Sequence, residues 1–387
     1  MDNLTHSLVG LTAAKAGLDK LSPGATTLCV LAANAPDADV LVLIFKGRWP
    51  FLHYHRGLTH SIVGAAVLAL VLPIAFYVAD WIIAQIRKRE PQLRFKGLLI
   101  ASILTTGTHP LLDWTNNYGV RFLLPWNPRW FYGDFAFVVD PFFWMVLGGA
   151  GFLLTAKKRK HVVLWIVLAL VPSYLVLGGS SSAARLANEM LLRLLWIFAL
   201  IVLVTLYHRK IGERRSAKIA IAALATVTIY CVGLFAAHAL ALRQATIQAS
   251  AIASSYSEQA LNVAAMPTVA NPTEWLCVME TDRATYRFSL SLLRQLPGPS
   301  NVARFGKPVG PAAPAVAQAE RDDRAQVFLG FARFPAIRVV GEDCATQTIV
   351  QFADLRYTEP GRGPGNGRGT FSLQVPVDCP VPDNRNQ

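Results

Sequence analysis

Eighteen consecutive residues, Ile62 to Ala79, carry no charge, and a histidine cluster runs straight into them. A run this long and this apolar is read as a membrane-crossing helix, because in lipid the backbone must satisfy its own hydrogen bonds. The segment before it, His53-Tyr54-His55-Arg56-Gly57-Leu58-Thr59-His60-Ser61, holds three of the chain's eight histidines within eight positions. Polar rings at a membrane entry are costly to bury and therefore point to function.

Composition agrees. Hydrophobic residues make up 53% of the 387 and charged ones only 16%, too apolar for an ordinary soluble protein. The length allows two domains. The net charge of +13 is unevenly placed: residues 1–242 carry 23 Lys/Arg against 11 Asp/Glu, and residues 243–387 carry 14 against 13. The excess thus lies in the apolar part, where basic loops set orientation. No long basic run or basic–aromatic stripe appears, so no nucleic-acid partner is expected. Cys29, Cys231, Cys277, Cys344 and Cys379 show no CxxC spacing and do not read as a zinc site. No cleavable signal is expected, since the N-terminus lacks a basic region and His6 interrupts the first apolar turn.

Along the chain, Leu4 to Leu18 is a short helical pattern. Thr26 to Phe45 is apolar but broken at Asn34-Ala35-Pro36-Asp37-Ala38-Asp39, because Pro36 lacks a backbone donor and pushes Ala35 out of helical geometry. The break predicts two helical pieces, spanning or re-entrant. Spans follow at Ser61–Ile86, Phe137–Thr155, Val162–Leu177, Leu191–Tyr207 and Ala217–Leu242, with a shorter apolar helix at Gly97–Leu112. Tyr118 to Ala136 reads as an ordered aromatic surface loop. Sixteen basic residues at Lys15, Lys20, Arg87–Lys96, Lys157–Lys160 and Arg209–Lys218 fall on the predicted cytoplasmic face, against six in the opposite loops. Parity then brings His6, the Asp37/Asp39 turn, His60 and the His109/Asp113 end toward one outer face.

Beyond the last span the composition changes. Arg243 to Ala265 reads as a polar helical lead-in, and Trp275–Thr281 with Tyr286–Leu290 as a hairpin about Asp282-Arg283. Leu296 to Pro314 reads as a linker, and Gly361–Gly369 as a flexible connection. Val327–Phe334, Ile337–Val340, Thr348–Leu355 and Phe371–Val377 have strand-like composition. The expected fold is mainly α: a polytopic helical membrane domain over 1–242, with about six to seven membrane helices, some short or broken. A small β-rich extracytoplasmic domain follows over 243–387. An oxidising exterior would allow a disulfide among Cys277, Cys344 and Cys379.

His109 and Asp113 are four apart on a predicted helix and share a face. Taken alone they read first as a hydrogen-bonded polar pair and second as ligands for a Zn²⁺ or Mn²⁺ ion. Asp37 and Asp39 lie within an apolar segment, where each charge costs about 2.5–3.5 kcal/mol at mid-membrane. Capping a helical piece explains one of them at most. His60 stands where the long helix begins, and Arg56 one turn earlier suits an anionic group. His6, Asp39, His60, His109 and Asp113 would supply one or two divalent metals. Asp37 would be a further ligand, an outer partner or a general base, and Arg56 the contact for an anionic substrate group. His53 and His55 read as interfacial loop residues. His161, His208 and His238, beside basic loops or in a late span, are set aside.

Several motifs together resemble a known family. They are Thr5-His6 with Gly10, Pro36-Asp37-Ala38-Asp39, His55-Arg56-Gly57-Leu58-Thr59-His60-Ser61 and His109-Pro110-Leu111-Leu112-Asp113. Tyr118-Gly119-Val120-Arg121, Pro125-Trp126, Asp134 and Asp140-Pro141 continue the pattern. Over roughly residues 1–207 the chain resembles the bacterial membrane-bound metal-dependent hydrolases of the YdjM/YbcI type, formerly a domain of unknown function. That resemblance implies an inner-membrane hydrolase with a His/Asp-bound metal. The HxxxD spacing is also similar to that of all-helical zinc-dependent phospholipase C and nuclease enzymes, which implies a lipid or lipid-linked phosphoester substrate. A cation or solute transporter, built on broken apolar segments with acids, and a non-catalytic membrane-anchored binding or regulatory protein, working through its outer domain, are the rival functions.

Overall fold

The computed structural model describes residues 1–178, 186–214, 216–269, 271–293, 300–341, 348–361 and 371–378. Helix α1 (Asn3–Lys15) begins where the Asp2 carboxylate accepts the Thr5 amide, an N-cap that satisfies one of the helix's orphan donors. Helix α2 (Ala25–Asn34) gives way at Pro36 to a 3-10 turn, Ala35–Asp39, and then to α3 (Val40–Lys46). The predicted break is therefore present, and it is a tightened turn carrying both acids. Helix α4 (Arg48–Tyr54) and a 3-10 turn at Leu58–His60 lead into α5 (Ile62–Ile86), capped by the Ser61 hydroxyl on the Gly64 amide. Helix α6 (Phe95–Trp114) follows. After an ordered loop, α7 (Pro141–Thr155) opens on an Asp140 cap and contains a π turn at Trp144–Gly148. Helices α8 (Arg159–Leu177), α9 (Leu186–His208) and α10 (Ser216–Ser255) complete the helical part.

Among the described residues, five helical segments are long and apolar enough to cross a membrane: Ala25–Lys46, Ile62–Ile86, Arg159–Leu177, Met190–His208 and Ser216–Ser255. Two further predicted segments are helical but differ in kind. Helix α6 buries a polar stripe of Ser102, Thr105, Thr106, His109 and Asp113. Helix α7 is short because residues 137–140 stay outside it, ahead of the Asp140 cap.

The chain divides into two compact units. The first comprises residues 1–39, 56–236 and 269–272. Here α1 and α2 approach so closely at Gly10 that a Cβ would lie 2.5 Å from the Cys29 carbonyl oxygen. Helix α6 packs on α1, α2 and α5. Asp80, near the far end of α5, holds the Arg89 guanidinium at 2.6 Å and the amides of Gln92 and Leu93, closing the basic loop there.

The second unit comprises residues 40–55, 237–268 and 273–387. Its strands are β1 (Ala260–Thr268), β2 (Asn271–Thr281), β3 (Ala284–Ser291) and β4 (Ser300–Gly306), then, after helices α11 (Ala313–Ala319) and α12 (Asp323–Phe331), β5 (Pro335–Val340), β6 (Thr348–Asp354) and β7 (Ser372–Val377). They form a four-stranded sheet in the order β1-β2-β3-β4 and a three-stranded sheet in the order β5-β6-β7. The expected hairpin pairs Trp275 with Leu290, Cys277 with Phe288 and Met279 with Tyr286. Those side chains pack against Ala241, Ala245, Ala249, Ile252 and Ala253 of α10. Val278, on the opposite face, packs with Phe334, Ala336 and Leu355.

Three sequence expectations in this region are corrected. Helix α10 runs to Ser255, but Ala260–Ala265 belongs to strand β1, the edge strand of the four-stranded sheet, with Ala264 and Ala265 buried. The expected linker contains β4, paired to β3. Val327–Phe334 reads as strand by composition, yet α12 forms over Asp323–Phe331: Asp322 caps it, and Ala325, Phe328 and Phe331 bury one helical face. Cys277 is a buried free thiol, pushed up to about 12 by burial. Cys344, Cys379 and residues 362–369 of the expected flexible connection lie outside the described residues.

Candidate metal centre

Three chain segments converge at one end of the first unit. The 3-10 turn after α2 presents Asp37, the turn before α5 presents His60, and the last turns of α6 present His109 and Asp113. His109 and Asp113 lie one above the other because they are four apart on a helix. His60 Nε2 lies 3.2 Å from His109 Nε2, 3.3 Å from Asp37 Oδ1 and 3.2 Å from Asp113 Oδ2. His109 Nε2 lies 3.5 Å from Asp37 Oδ1 and 3.3 Å from Asp113 Oδ2. A tetrahedral ion with N and O ligands about 2.0–2.1 Å away has ligand-to-ligand edges of about 3.3 Å. Five of the six edges of this group match that value, and all four atoms lie within 4.8 Å of one another.

The partners behind the rings decide which atoms face inward. His109 Nδ1 is 2.6 Å from the Ala33 carbonyl oxygen, which can only accept, so Nδ1 donates. In a neutral ring this leaves the Nε2 lone pair facing the group. His60 Nδ1 lies 3.4 Å from Asp39 Oδ2, so its Nε2 faces the same point. With both rings neutral in these tautomers, two lone pairs and two carboxylate oxygens converge with no donor among them. A proton on one ring relieves part of that repulsion; a divalent cation relieves all of it. The residues present fit such an ion.

The other candidate residues surround this set. Asp39 stands behind His60, where its Oδ2 also accepts the Arg56 amide at 3.1 Å and the Thr59 hydroxyl at 3.2 Å. His6 stacks on His109 with ring centroids 3.7 Å apart, and its Nε2 is 3.3 Å from Asp113 Oδ1. The same Oδ1 takes the Arg56 guanidinium at 3.1 Å and the amine of Met1. Arg56 Nη1 donates to Asn116 Oδ1 at 2.9 Å and to the Asp113 carbonyl oxygen at 3.2 Å, and its guanidinium lies over Tyr118 at 4.7 Å. Arg56 is thus buried within the protein's own contacts. Three of the four inward-facing residues are buried, and Asp37, with 13% of its side chain exposed, is the open side. Sequence reasoning missed Asn116, whose only signal is its place one turn beyond Asp113. It also missed the Ala33 carbonyl, which no side-chain pattern reports. His53 closes α4 rather than lying in a loop.

Comparison with known proteins gives the same stretch. Residues 1–184 match the family model described as YdjM inner membrane protein. The inner membrane protein YbcI of Escherichia coli (strain K12) is 28% identical over 182 residues, 45% of this chain and 94% of that protein. YfhP of Bacillus subtilis (strain 168) is 28% identical over 152 residues, 37% of this chain; the chain spans 42% of YfhP's length. No solved structure matches. All seven residues of the cluster, from His6 to Asp113, fall inside residues 1–184, the stretch that matches the YdjM inner membrane protein family.

Proposed function

We propose that the chain is a membrane-embedded, metal-dependent hydrolase acting on a lipid or lipid-linked phosphoester. The observation that carries this reading is the convergence of His60, His109, Asp37 and Asp113 with tetrahedral edge lengths. Tetrahedral N/O geometry favours Zn²⁺ over Mn²⁺. When bound, such an ion lowers the pKa of a coordinated water toward 7 and polarises a phosphoryl oxygen.

The chain's own residues do the rest. Asp39 and the Ala33 carbonyl hold the two imidazoles in the tautomer that turns Nε2 inward. Arg56, anchored on Asn116, fixes Asp113 and is in this reading a positioning residue. Asp37, on the open side, would complete the four ligands or, where a water takes up that position instead, accept that water's proton. By the distribution of basic loops the centre and the β-rich domain lie on the extracytoplasmic side of the inner membrane.

The test is elemental analysis of detergent-purified protein, wild type beside His60→Ala and His109→Ala. Stoichiometric zinc or manganese in the wild type, lost in both variants, is expected. A wild type that binds neither metal overturns the proposal and shifts the activity to the β-rich domain.

A further inference from the structure

The loop between α6 and α7 has an exposed tip, and the tip is unlike an ordinary polar turn. Trp126 is 79% exposed and Leu123 39%, and Pro125, Asn127, Pro128 and Arg129 are exposed beside them. The amide donors of Trp126, Asn127 and Arg129 are satisfied within the tip, and Pro125 and Pro128 have none to satisfy. The amides of Trp126 and Asn127 both donate to the Leu123 carbonyl oxygen at 3.0 Å. The Arg129 amide donates to Asn127 Oδ1 at 2.9 Å.

Its base is tied to the segment that carries the candidate centre. The Phe122 carbonyl oxygen accepts the Ile62 amide at 3.0 Å, and the Arg121 amide donates to the Arg56 carbonyl oxygen at 3.2 Å. Ile62 opens the uncharged run that ends at Ala79, just before the Asp80–Arg89 pair. Eighteen helical residues measure about 27 Å, close to the hydrocarbon thickness of about 30 Å. The tether therefore fixes the loop at one edge of that slab, level with His60. At this end Ile62 is 64% and Leu111 60% exposed, so the apolar outer surface of α5 and α6 continues toward the tip. From Trp114 to Gly133 the chain has two arginines and no acid. The guanidinium of Arg121 lies over Trp130 and that of Arg129 over Phe131. Tryptophan, apolar side chains and cations without acids are what the boundary between headgroups and acyl chains selects.

We infer that Leu123–Arg129 is seated in the lipid bilayer at the headgroup boundary, on the metal-centre side. A molecule approaching Asp37 then comes from the headgroup layer and not only from bulk water. This last consequence rests on the metal-centre reading above; the seating of the loop does not.

The test uses the full chain in phosphatidylcholine vesicles, comparing wild type with Trp126→Phe. The difference in tryptophan emission isolates Trp126. Lipids brominated near the carbonyl end of the acyl chain should remove most of that difference, and aqueous iodide little of it. Quenching by iodide without quenching by brominated lipid places the tip in water and overturns the inference. Quenching by neither means that protein covers the tip, and overturns it as well. Metal content measured on the same preparations separates the two readings: quenched Trp126 emission without bound metal keeps the seating and removes the metal centre.

Discussion

Arg56 sits at φ +52°, a left-handed conformation that a side chain other than glycine adopts at a cost of about 1–3 kcal/mol. That conformation lets its amide reach Asp39 while its guanidinium reaches Asp113 and Asn116. Asp39 in turn orients His60. Asp39→Asn should leave the protein folded and weaken metal binding by about 10–100-fold, the usual effect of losing a ligand's outer partner; competition with a fluorescent chelator would show it, and unchanged affinity would remove Asp39 from the set. The residue types of this site were legible from spacing: His109 and Asp113 by their helical interval, His60 and the Asp pair by their cost in an apolar setting. Which aspartate turns inward was not legible. Two residues two apart diverge by about 200° on an α-helix but about 240° on a 3-10 helix, and sequence does not choose between those turns. Spacing also leaves open what Arg56 contacts, since an arginine near a helix start suits an internal carboxylate as well as an outside anion.

At the scale of elements, the helix break at Pro36 and the start of α5 follow from backbone chemistry and were readable. What was not readable is how closely helices and turns approach. A Cβ on Gly64 would lie 1.8 Å from the Leu58 carbonyl oxygen, so the turn carrying His60 folds back onto the first turn of α5. Gly64→Ala should therefore destabilise by about 1–3 kcal/mol or more and displace His60. Gly107→Ala, where a Cβ meets nothing within 4 Å, should be neutral or stabilise by up to about 1 kcal/mol. Thermal unfolding in detergent compares the two, and equal effects would show that the contact at Gly64 is not restrictive. In the β-rich unit α12 is one of the misread elements. Its run Val327-Phe328-Leu329-Gly330-Phe331 has strand composition, but the Asp322 cap and the burial of Ala325, Phe328 and Phe331 decide for helix. Tertiary burial overrides intrinsic preference in so short a segment.

At the scale of the whole molecule, two carboxylate systems set how stability responds to conditions. In the second unit, burial pushes the Glu258 carboxyl up. The hydrogen bonds from the Thr281 hydroxyl at 2.6 Å, Arg304 at 2.5 Å and the Tyr286 hydroxyl at 2.9 Å outweigh that and hold it below its ordinary 4.5. A depressed carboxyl contributes stability that is present above 4.5 and is lost as pH falls through the folded value. Acid unfolding of the full chain, followed by tryptophan emission, should therefore steepen below that pH, and Glu258→Gln should flatten the slope; an unchanged slope would place the acid sensitivity elsewhere. Under the proposed metal centre the first unit would respond to a different variable. Its four inward-facing residues lie at positions 37, 60, 109 and 113, so one ion would join parts of the chain far apart in sequence. An ion that binds only the folded arrangement raises stability by mass action, by about 2.7 kcal/mol at a hundredfold excess over its dissociation constant. Melting temperature should rise with added zinc and fall on chelation. The same four side chains would then act as a reversible cross-link, and a cell's metal supply would set how much of this protein stays folded as well as how much of it is active.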